Sequence, residues 1–438
     1  MITDYELDAI LRGVLADEAA QVERNAPSIE HAVARLRPRV QGRAGTQRRL
    51  MLVLAAGLLL VAALASAIAI GQWLPITVDE LPPPDGRGEF QPTGMLPQDV
   101  TPQALVAQPE GSALLIGDRH IFRFNPGTGR FAQVGRLQIP RTLPATVVLD
   151  DGRVLIIGGG HDTSSPPPSD RFQAEIYDPA TRTTRLTAST IHPRAWGTAT
   201  LLDDGRVLVT GGEAQGFAVA TAEIFDPATE EFIETVNMQR PRSGHAAVLL
   251  DDGRVLLIGG FGSDAPPDAE LFDPATGSFS AAGRMPMALG GSFGGGQNNI
   301  LLPDGRVLIV EATGDGADLT TTVQFYDPAT DEFTLGPSLP SPRQAHRIAL
   351  LDDGRVLIVG GWGADAVGEG NDAFFFDPST GAFTATGSLT VQRLAPFVVT
   401  LADGRVLVVG SQCWNQGCYG LDAIPDAADR AISAEIFD

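Results

Sequence analysis

The sequence contains no lysine, so all 31 of its basic residues are arginine. There are 53 acidic residues, which gives the chain a formal net charge of −22. Nucleic-acid binding requires clustered cations that neutralise phosphates, so this balance excludes nucleic acid as a partner. Much of the acid recurs in short turn motifs, and we interpret the remaining charge as a feature that keeps the protein soluble.

Cysteine is almost absent as well, because Cys413 and Cys418 are the only two in the chain. Both lie in one loop, "SQCWNQGCYG". A disulfide forms in the oxidising environment outside a membrane, and here it would stiffen the intervening "WNQG". A reduced pair or a metal site is the alternative, which the lack of a nearby histidine disfavours. We therefore expect a disulfide here, no metal site and no cofactor.

Long apolar runs are missing except for one, residues 50–70, which read "LMLVLAAGLLLVAALASAIAI" and contain no charge. Such a run is long enough to cross a bilayer as a helix, and the arginines before it place the N-terminus in the cytoplasm. We expect a cytoplasmic helical segment at 1–49, a transmembrane helix at 50–71 and a linker at 72–87. The alternative is a cleaved signal peptide, but the preceding segment is too long for one. The predicted location is the cell membrane, in a single pass, with everything after residue 71 outside.

The cytoplasmic segment has a few apolar residues at helical spacing, which predict a short helix: Leu7, Ile10, Leu11, Val14 and Leu15. It resembles the short helical segments of membrane-bound anti-sigma factors. It contains no cysteine and only one histidine, His31, so the zinc-binding form of that family is not implied. The alternative interpretation is a leader that only sets the topology of the anchor.

The rest of the chain repeats one phrase, seen as "LLDDGRVLVTGG", "LLDDGRVLLIGG" and "LLDDGRVLIVGG". The glycine of its "DGRVL" core falls at positions 152, 205, 253, 305, 354 and 404. Each unit has the same order of segments. An apolar run comes first, then a "DDG" turn and a "RVL" strand closed by two glycines. An "AE(I/L)(F/Y)DP" strand and a fourth strand with an aromatic residue complete the unit. A period near 50 built of four strands indicates the blade of a propeller.

The ends of the repeat region give the number of blades. A degenerate unit, residues 112–135, precedes the first clear copy, and the chain stops after a third strand at "AEIFD". The missing fourth strand has a candidate near the start, because "GRGEFQPTGML" matches the pattern "TGSFSAAGRM", with Phe90 in the place of Phe279. We therefore predict an all-β, seven-bladed propeller over residues 88–438, its last blade closed by a strand at 88–94.

With strand, turn and glycine doublet recurring in register, residues 88–438 resemble the kelch-repeat family, in a bacterial form similar to the central domain of galactose oxidase. That resemblance raises the question of an enzyme, since galactose oxidase and its relatives hold copper with two tyrosines and two histidines. Tyr177 and Tyr326 stand where other copies carry phenylalanine, which predicts core residues. The copper site is therefore not carried over, and no Ser/His/Asp signature or paired carboxylate replaces it.

Two faces of such a ring differ in sequence. The "DDG" and "DPATG" turns are short and monotonous, whereas the loops between second and third strands are long and diverse, which is typical of binding surfaces. On that second face, arginines and histidines recur at the start of the inner strands and are the predicted ligand-binding residues: Arg141, Arg194, Arg242, His245, Arg343, His346 and Arg393. They suit a carboxylate, a uronic or sulfated sugar, or an acidic peptide. The alternative is that they pair with local aspartates and hold the blades together.

The fifth blade departs from the repeat, since "GGSFGGGQNN" replaces its arginine and "VLIVEA" its glycine doublet. Three functions remain open. The first is a membrane-anchored extracytoplasmic propeller that binds a protein, peptide or glycan. The second is a transmembrane sensor, similar to an anti-sigma regulator, with the propeller as its input domain. The third is an enzyme, galactose-oxidase-like or otherwise, that lacks the recognised copper site.

Overall fold

A computed structural model describes residues 88–96, 100–160, 172–261, 268–286, 298–314, 318–363, 371–410 and 432–438. The predicted cytoplasmic segment, transmembrane helix and linker at 1–87 lie outside these residues, as do Cys413 and Cys418 with their expected disulfide. Among the described residues, no helix is long and apolar enough to span a membrane.

The described residues form seven four-stranded antiparallel sheets, which are the blades of a propeller. Blade 1 contains β2 (Pro102–Ala107), β3 (Ala113–Gly117), β4 (His120–Asn125) and β5 (Arg130–Arg136), and blade 2 contains β6 (Ala145–Val148), β7 (Val154–Ile157), β8 (Gln173–Asp178) and β9 (Thr183–Ser189). Blade 3 contains β10 (Thr198–Leu201), β11 (Val207–Thr210), β14 (Ala222–Asp226) and β15 (Glu231–Glu234), with an extra hairpin of β12 (Glu213–Ala214) and β13 (Phe217–Ala218). Blade 4 contains β16 (Ala246–Leu249), β17 (Val255–Ile258), β18 (Asp268–Asp273) and β19 (Ser278–Arg284).

The remaining three blades follow the same order. Blade 5 contains β20 (Asn299–Leu301), β21 (Val307–Thr313), β22 (Thr320–Asp327) and β23 (Glu332–Ser338), and blade 6 contains β24 (Arg347–Leu350), β25 (Val356–Val359), β26 (Phe374–Asp377) and β27 (Ala382–Ala385). Blade 7 contains β28 (Phe397–Thr400), β29 (Val406–Gly410), β30 (Ser433–Phe437) and β1 (Phe90–Met95). The first strand of each blade contacts the first strand of both neighbouring blades, so these seven strands surround the central axis. The predicted seven-bladed, all-β architecture is confirmed.

Blade 7 is completed by the earliest strand of the ring. β1 pairs with β30 in antiparallel register, with Phe90 opposite Phe437 and their ring centroids 4.8 Å apart. The aromatic pair of blade 4, Phe272 and Phe279, has the same arrangement at 4.9 Å. Phe90 therefore takes the place that the sequence pattern assigned to it, and blade 7 packs against blade 1 in one apolar cluster.

The repeated turns are formed by aspartate side chains that accept backbone hydrogen bonds. In each "DGR" turn the aspartate binds the amide two residues on, as Asp204 does with Arg206 (3.0 Å), and also the arginine side chain. In each "DP" turn the aspartate side chain accepts the N–H of the residue two positions on, as Asp226 does from Ala228 (2.8 Å). These local bonds mimic a backbone turn and explain why the predicted strand boundaries could be placed from sequence.

The core lies between blades rather than inside one. Every residue of the second strands β7, β11, β17 and β25 is buried, and each strand sends alternate side chains to its two flanking blades. Leu155 and Ile157 of blade 2 thus pack with Val207 and Val209 of blade 3 in a single cluster. A blade alone would leave one half of each such cluster exposed, so the ring is the unit that folds.

The glycine doublets bring neighbouring blades into close contact. Gly212 donates its N–H to the carbonyl of Arg242 in the next blade (2.7 Å), and Gly159 and Gly361 make the equivalent bonds. A Cβ on Gly211, whose φ is +56°, would lie 2.3 Å from that same carbonyl oxygen. Any larger residue at this position would push two blades apart, which is why the doublet recurs.

Candidate functional site

The predicted arginines lie inside the blades and not in open solvent. Arg141 is 1% exposed, and its Nε and Nη2 donate to Glu175 Oε1 at 3.1 and 2.9 Å. Its Nη1 donates to the carbonyls of Gly158 (2.7 Å) and Gln173 (2.9 Å). The same ion pair recurs in three further blades: Arg194 with Glu223, Arg242 with Glu270 and Arg393 with Glu435. In the first of these only Nη2 of Arg194 donates to the glutamate.

The glutamate of each pair also holds the chain segment that links two blades. Glu175 accepts the N–H groups of Gln138 (2.7 Å) and Ile139 (3.1 Å), which follow the last strand of blade 1. Glu223, Glu270 and Glu435 accept amides from the equivalent segments. One buried carboxylate therefore satisfies the arginine and the link together, and its charge is fully hydrogen-bonded.

Blades that lack the arginine also lack the glutamate. In blade 1 the two positions are Val100 and Phe122, which lie in one apolar cluster. In blade 5 the glutamate position is Gln324, and the sequence has glycine at the arginine position. In blade 6 Arg343 faces Phe374, with Cζ 5.2 Å from the ring centroid, and pairs with Asp372 at 2.7 Å instead. The arginine and the glutamate are lost together in blades 1 and 5, and in blade 6, which keeps the arginine, an aspartate supplies the carboxylate. This indicates that the arginine and its carboxylate form a structural pair.

The structure distributes the predicted ligand-binding residues over five blades and does not bring them together. Burial lowers the pKa of Arg194 and Arg393, while their glutamate partners act in the opposite direction. The expected alternative partners were local aspartates, but four of the five arginines pair with glutamate from the third strand, and only Arg343 pairs with an aspartate. A ligand-binding role for these arginines stays a prediction, and it would require them to leave their internal partners.

His245 and His346 occupy equivalent buried positions at the start of their inner strands. Nε2 of His245 lies 2.8 Å from Thr210 Oγ1 and 3.1 Å from Thr198 Oγ1, and within the described residues its Nδ1 has no hydrogen-bond partner. Nε2 of His346 lies 3.1 Å from the carbonyl of Val310. Burial, reinforced by the charges of nearby arginines, lowers the pKa of each histidine to about 3. Both imidazoles are therefore neutral at pH 7.

Blade 5 replaces its glycine doublet by a longer strand. β21 continues through Glu311, Ala312 and Thr313, which pair with Thr322, Thr321 and Thr320. Thr321 Oγ1 then donates to the carbonyl of Arg343 (2.8 Å), which is equivalent to the acceptor that a doublet glycine binds in blades 2, 3 and 6.

The same extension introduces a buried carboxylate, because Glu311 is only 5% exposed. Arg347 of blade 6 is equally buried, and its pKa is lowered to about 10 by burial, against which the charge of Glu311 acts. The exception in the repeat therefore places two opposite charges between blades 5 and 6.

Residues with a left-handed backbone recur at one position on the loop-bearing face of blades 2, 3, 4, 6 and 7. The residue two positions after each predicted arginine has a left-handed backbone: Leu143, Trp196, Gly244, Ala345 and Ala395. The amide of Trp196 donates to the carbonyl of Leu143, that of Gly244 to Trp196 and that of Ala395 to Ala345, so the bonds run from blade to blade. A positive φ is unfavourable for residues other than glycine, and strain of this kind marks positions that the surrounding structure fixes.

The same face carries an aromatic patch, which we define as Trp196, Phe217 and Phe261, in blades 3 and 4. Phe217 is 75% and Phe261 40% exposed, whereas Trp196 is half-buried. Backbone pairs join the segments: Ala195 with Glu213, Val219 with Arg242 and Ser243 with Phe261. The patch is therefore a fixed surface and not a loose loop.

Phe217 and Phe261 lie in the variable loops of the sequence and were not among the predicted binding residues. Phe261 follows a glycine doublet, and the equivalent residues of other blades are Gly160, Glu213, Thr313 and Trp362. The backbones of Glu213, Phe261 and Trp362 make equivalent pairs although their side chains differ. Variation in the residue directly after the doublet was therefore the sequence signal that could have identified Phe261.

The described residues do not supply a copper site of the kind that the resemblance to galactose oxidase implies. The rings of Tyr177 and Tyr326 are fully buried, as predicted, and their hydroxyls donate to the carbonyl of Val134 and to Asp331 Oδ1. No group of three or more histidine, cysteine or carboxylate side chains converges on a metal position in the described ranges.

We expect the buried ion pairs to be essential for stability. Glu175→Gln removes the charge opposite Arg141 and should lower the free energy of unfolding by about 3 kcal/mol, because an uncompensated buried charge remains. Asp204→Asn at the exposed pair with Arg206 is the matched control and should cost less than about 1 kcal/mol. Urea unfolding of the full chain measures both. Equal costs would contradict the structural role.

The buried histidines predict a loss of stability in mild acid. Their pKa is about 3 in the folded protein and 6.5 as the ordinary value. As the pH falls below 6.5, the unfolded chain binds protons that the folded chain does not, so unfolding becomes easier by up to about 1.4 kcal/mol per pH unit for each histidine. Urea unfolding between pH 6.5 and 4.5 should show a shallower pH slope for His245→Gln than for the natural chain. An unchanged slope would contradict the burial of a neutral imidazole.

Comparison with known proteins supports the fold. No known protein family matches the chain, and no curated protein is similar in sequence. Among solved structures, a fungal alcohol oxidase of the AA5 family in complex with copper has 18% sequence identity and a TM-score of 0.61, over 80% of this chain and 76% of that one. At this identity the likeness shows the propeller fold alone, and the kelch resemblance stays a resemblance.

Proposed function

We propose that this protein is a binding module whose loop-bearing propeller face engages a protein, peptide or glycan. The observation that supports it most is the aromatic patch, because exposed aromatic side chains on fixed backbone are the usual anchors of binding surfaces. The surface is preorganised, so little conformational entropy is lost when a ligand binds. The scaffold beneath it is constant from blade to blade, whereas the side chains that it displays differ.

The binding surface is aromatic and does not depend on the buried arginines. Within the described residues, the five predicted arginines donate to acceptors in their own blades, so they are not displayed to an acidic ligand. The two exposed phenylalanines, in contrast, contribute little to the core that holds the blades together. A binding role explains why such side chains are kept in contact with water.

We expect Phe217→Ala and Phe261→Ala to weaken ligand binding at least about 10-fold, because each removes an anchor of the patch. The full chain would be tested on glycan and peptide arrays, followed by affinity measurements for the ligands that it retains. Leu335→Ala is the matched control, since Leu335 is 55% exposed on the outer strand β23, away from the loop-bearing face. All variants should unfold at the same temperature. Equal loss in the control, or no retained ligand, would contradict the proposal.

We further propose that the propeller lies outside the cell membrane on an uncleaved anchor at 50–71. The supporting observation is the charge distribution, in which the arginines precede the uncharged run and the acidic excess follows it. Protease added to intact cells that produce the full chain should digest the propeller and spare the first 49 residues. A propeller that resists digestion until the cells are opened would contradict this topology.

A further inference from the structure

On the face that carries the "DGR" and "DP" turns, which we call the turn-bearing face, arginines connect neighbouring blades. Nη1 of Arg153 in blade 2 lies 3.4 Å from Glu230 Oε1 in blade 3. Blades 4 and 7 make equivalent contacts, from Arg254 to the carbonyl of Pro328 and from Arg405 to the carbonyl of Pro126. Blade 1 is the one blade whose turn lacks this arginine, because Ser112 stands in its place. The junction of blades 1 and 2 therefore lacks the contact from a turn arginine.

A cavity of about 640 Å³ lies at this junction. Its walls come from the "QPE" turn of blade 1 and from both turns of blade 2. They include two guanidiniums and several carboxylates: Glu110, Arg123, Asp150, Asp151, Asp178 and Arg182. A volume of this size is typical of pockets that receive a small ligand, so the junction has room for a group from outside the chain.

Arg182 occupies a turn position that favours glycine. Its φ is +59°, and three blades carry a glycine with positive φ there: Gly129, Gly277 and Gly381. Two other blades have a different residue, and each uses its side chain in a contact. Glu230 pairs with Arg153 at 3.4 Å, and Asp331 Oδ1 accepts the hydroxyl of Tyr326 at 2.8 Å. Because a positive φ is unfavourable for such residues, a contact made by the side chain offsets the strain.

The guanidinium of Arg182 is the exception to this pattern. Within the described ranges it makes no hydrogen bond and no ion pair with the chain. The strained residue at this turn position therefore points to an acceptor that the described part of the protein does not supply.

Arg123 is a second guanidinium on this cavity with few partners. At its position the third strands of the other blades carry an apolar residue: Ile176, Ile224, Leu271, Phe325, Phe375 and Ile436. Its Nη2 lies 3.6 Å from Glu110 Oε1, and within the described residues its buried Nε has no hydrogen-bond partner. Burial raises the pKa of Tyr177, and the charges of Arg123 and Arg182 both act against that rise. The two guanidiniums therefore lie within electrostatic range of one hydroxyl.

Three of the carboxylates on the cavity already have donors. Asp151 Oδ2 pairs with Nε of Arg153 at 2.7 Å, and Asp178 accepts two amides of its own turn. Glu110 accepts the hydroxyl of Ser112 at 2.9 Å. The hydrogen-bonding capacity that remains on the cavity is thus mainly that of guanidinium donors, which suits an acceptor.

We propose that the cavity between blades 1 and 2 binds the carboxylate of an acidic side chain of a peptide, with Arg182 and Arg123 as its donors. This site lies on the face opposite the aromatic patch and goes beyond the binding function proposed above. A guanidinium matches a carboxylate because it can donate two parallel hydrogen bonds to it. A singly charged carboxylate is favoured over a phosphate, since Glu110 and Asp150 on the same cavity repel the larger negative charge more strongly.

The test compares two peptides of the same shape on the full chain. The probe is Ac-Ala-Glu-Ala-amide, and the control peptide has glutamine, which is neutral, in place of glutamate. The net charge of −22 opposes the approach of an acidic peptide, so the titration is done at about 0.15 M salt, where distant charges are screened. Calorimetric titration should show at least about 10-fold tighter binding of the glutamate peptide, because hydrogen bonds between charged groups are strong.

Two variants restore the residue of other blades and are therefore expected to fold. Arg182→Gly relieves the positive φ and should abolish the difference between the peptides. Arg123→Ile, which introduces the residue found in three other blades, should reduce that difference. Arg284→Gln is the matched control, because it makes the same change in net charge at an exposed position of β19 in blade 4. It should leave the difference unchanged.

Four results would overturn this inference: equal binding of the two peptides, no binding of either, a difference that persists in Arg182→Gly, or equal loss in Arg284→Gln. The thermal unfolding of each variant shows whether it is folded. Phe217→Ala on the opposite face should leave the preference for the glutamate peptide unchanged. The carboxylate site and the aromatic patch can therefore each fail without the other.

Discussion

A guanidinium buried against a glutamate, repeated in four of the seven blades, is the interaction on which much of this ring depends. Arg242 donates to Glu270 within its own blade, while its carbonyl accepts the N–H of Gly212 in the preceding blade. The glutamate in turn accepts an amide from the link between blades. One residue thus connects a blade, its neighbour and the segment that joins them. Removing two charges from water is costly, and the cost is offset here because every partner is in place.

This internal attachment separates stability from recognition. Because the blades are joined by buried side chains and backbone amides, the residue after each doublet can change without loosening the ring. Glu213, Phe261 and Trp362 occupy that position in three blades with equivalent backbone pairing. The scaffold therefore presents different chemistry at equivalent points around the channel, and the aromatic patch is one result of that freedom.

The fold was largely readable from sequence, because its turns are made by local chemistry. Aspartate followed by glycine or proline forms each turn from its own side chain, and Phe90 could be assigned to the last blade by comparison with Phe279. The residues that pair with the buried arginines were predicted less accurately. Aspartates were expected, although the loss of glutamate in the blades that lack arginine, at Phe122 and Gln324, was visible in the sequence.

The contacts of the patch were beyond sequence analysis for a physical reason. Trp196 and Phe261 both lie against Gly244 only because two blades pack at a particular register, and that register is set by side chains from distant repeats. The left-handed conformations of Leu143 and Ala345 arise in the same way, since nothing in their local sequence favours a positive φ.

The pairing of β1 with β30 also has a consequence for the order of synthesis. β1 is among the first strands of the ring to leave the ribosome, and its partner is the last. Until then Phe90 has no aromatic partner and β1 has no strand to pair with in a sheet, so the nascent chain carries an unpaired edge throughout translation of the other blades. Thr386 Oγ1, which donates to the carbonyl of Gly88, joins the same closure across 298 residues of sequence. Completion of the ring is therefore a late, long-range event, and the early strand requires protection from other chains until it occurs.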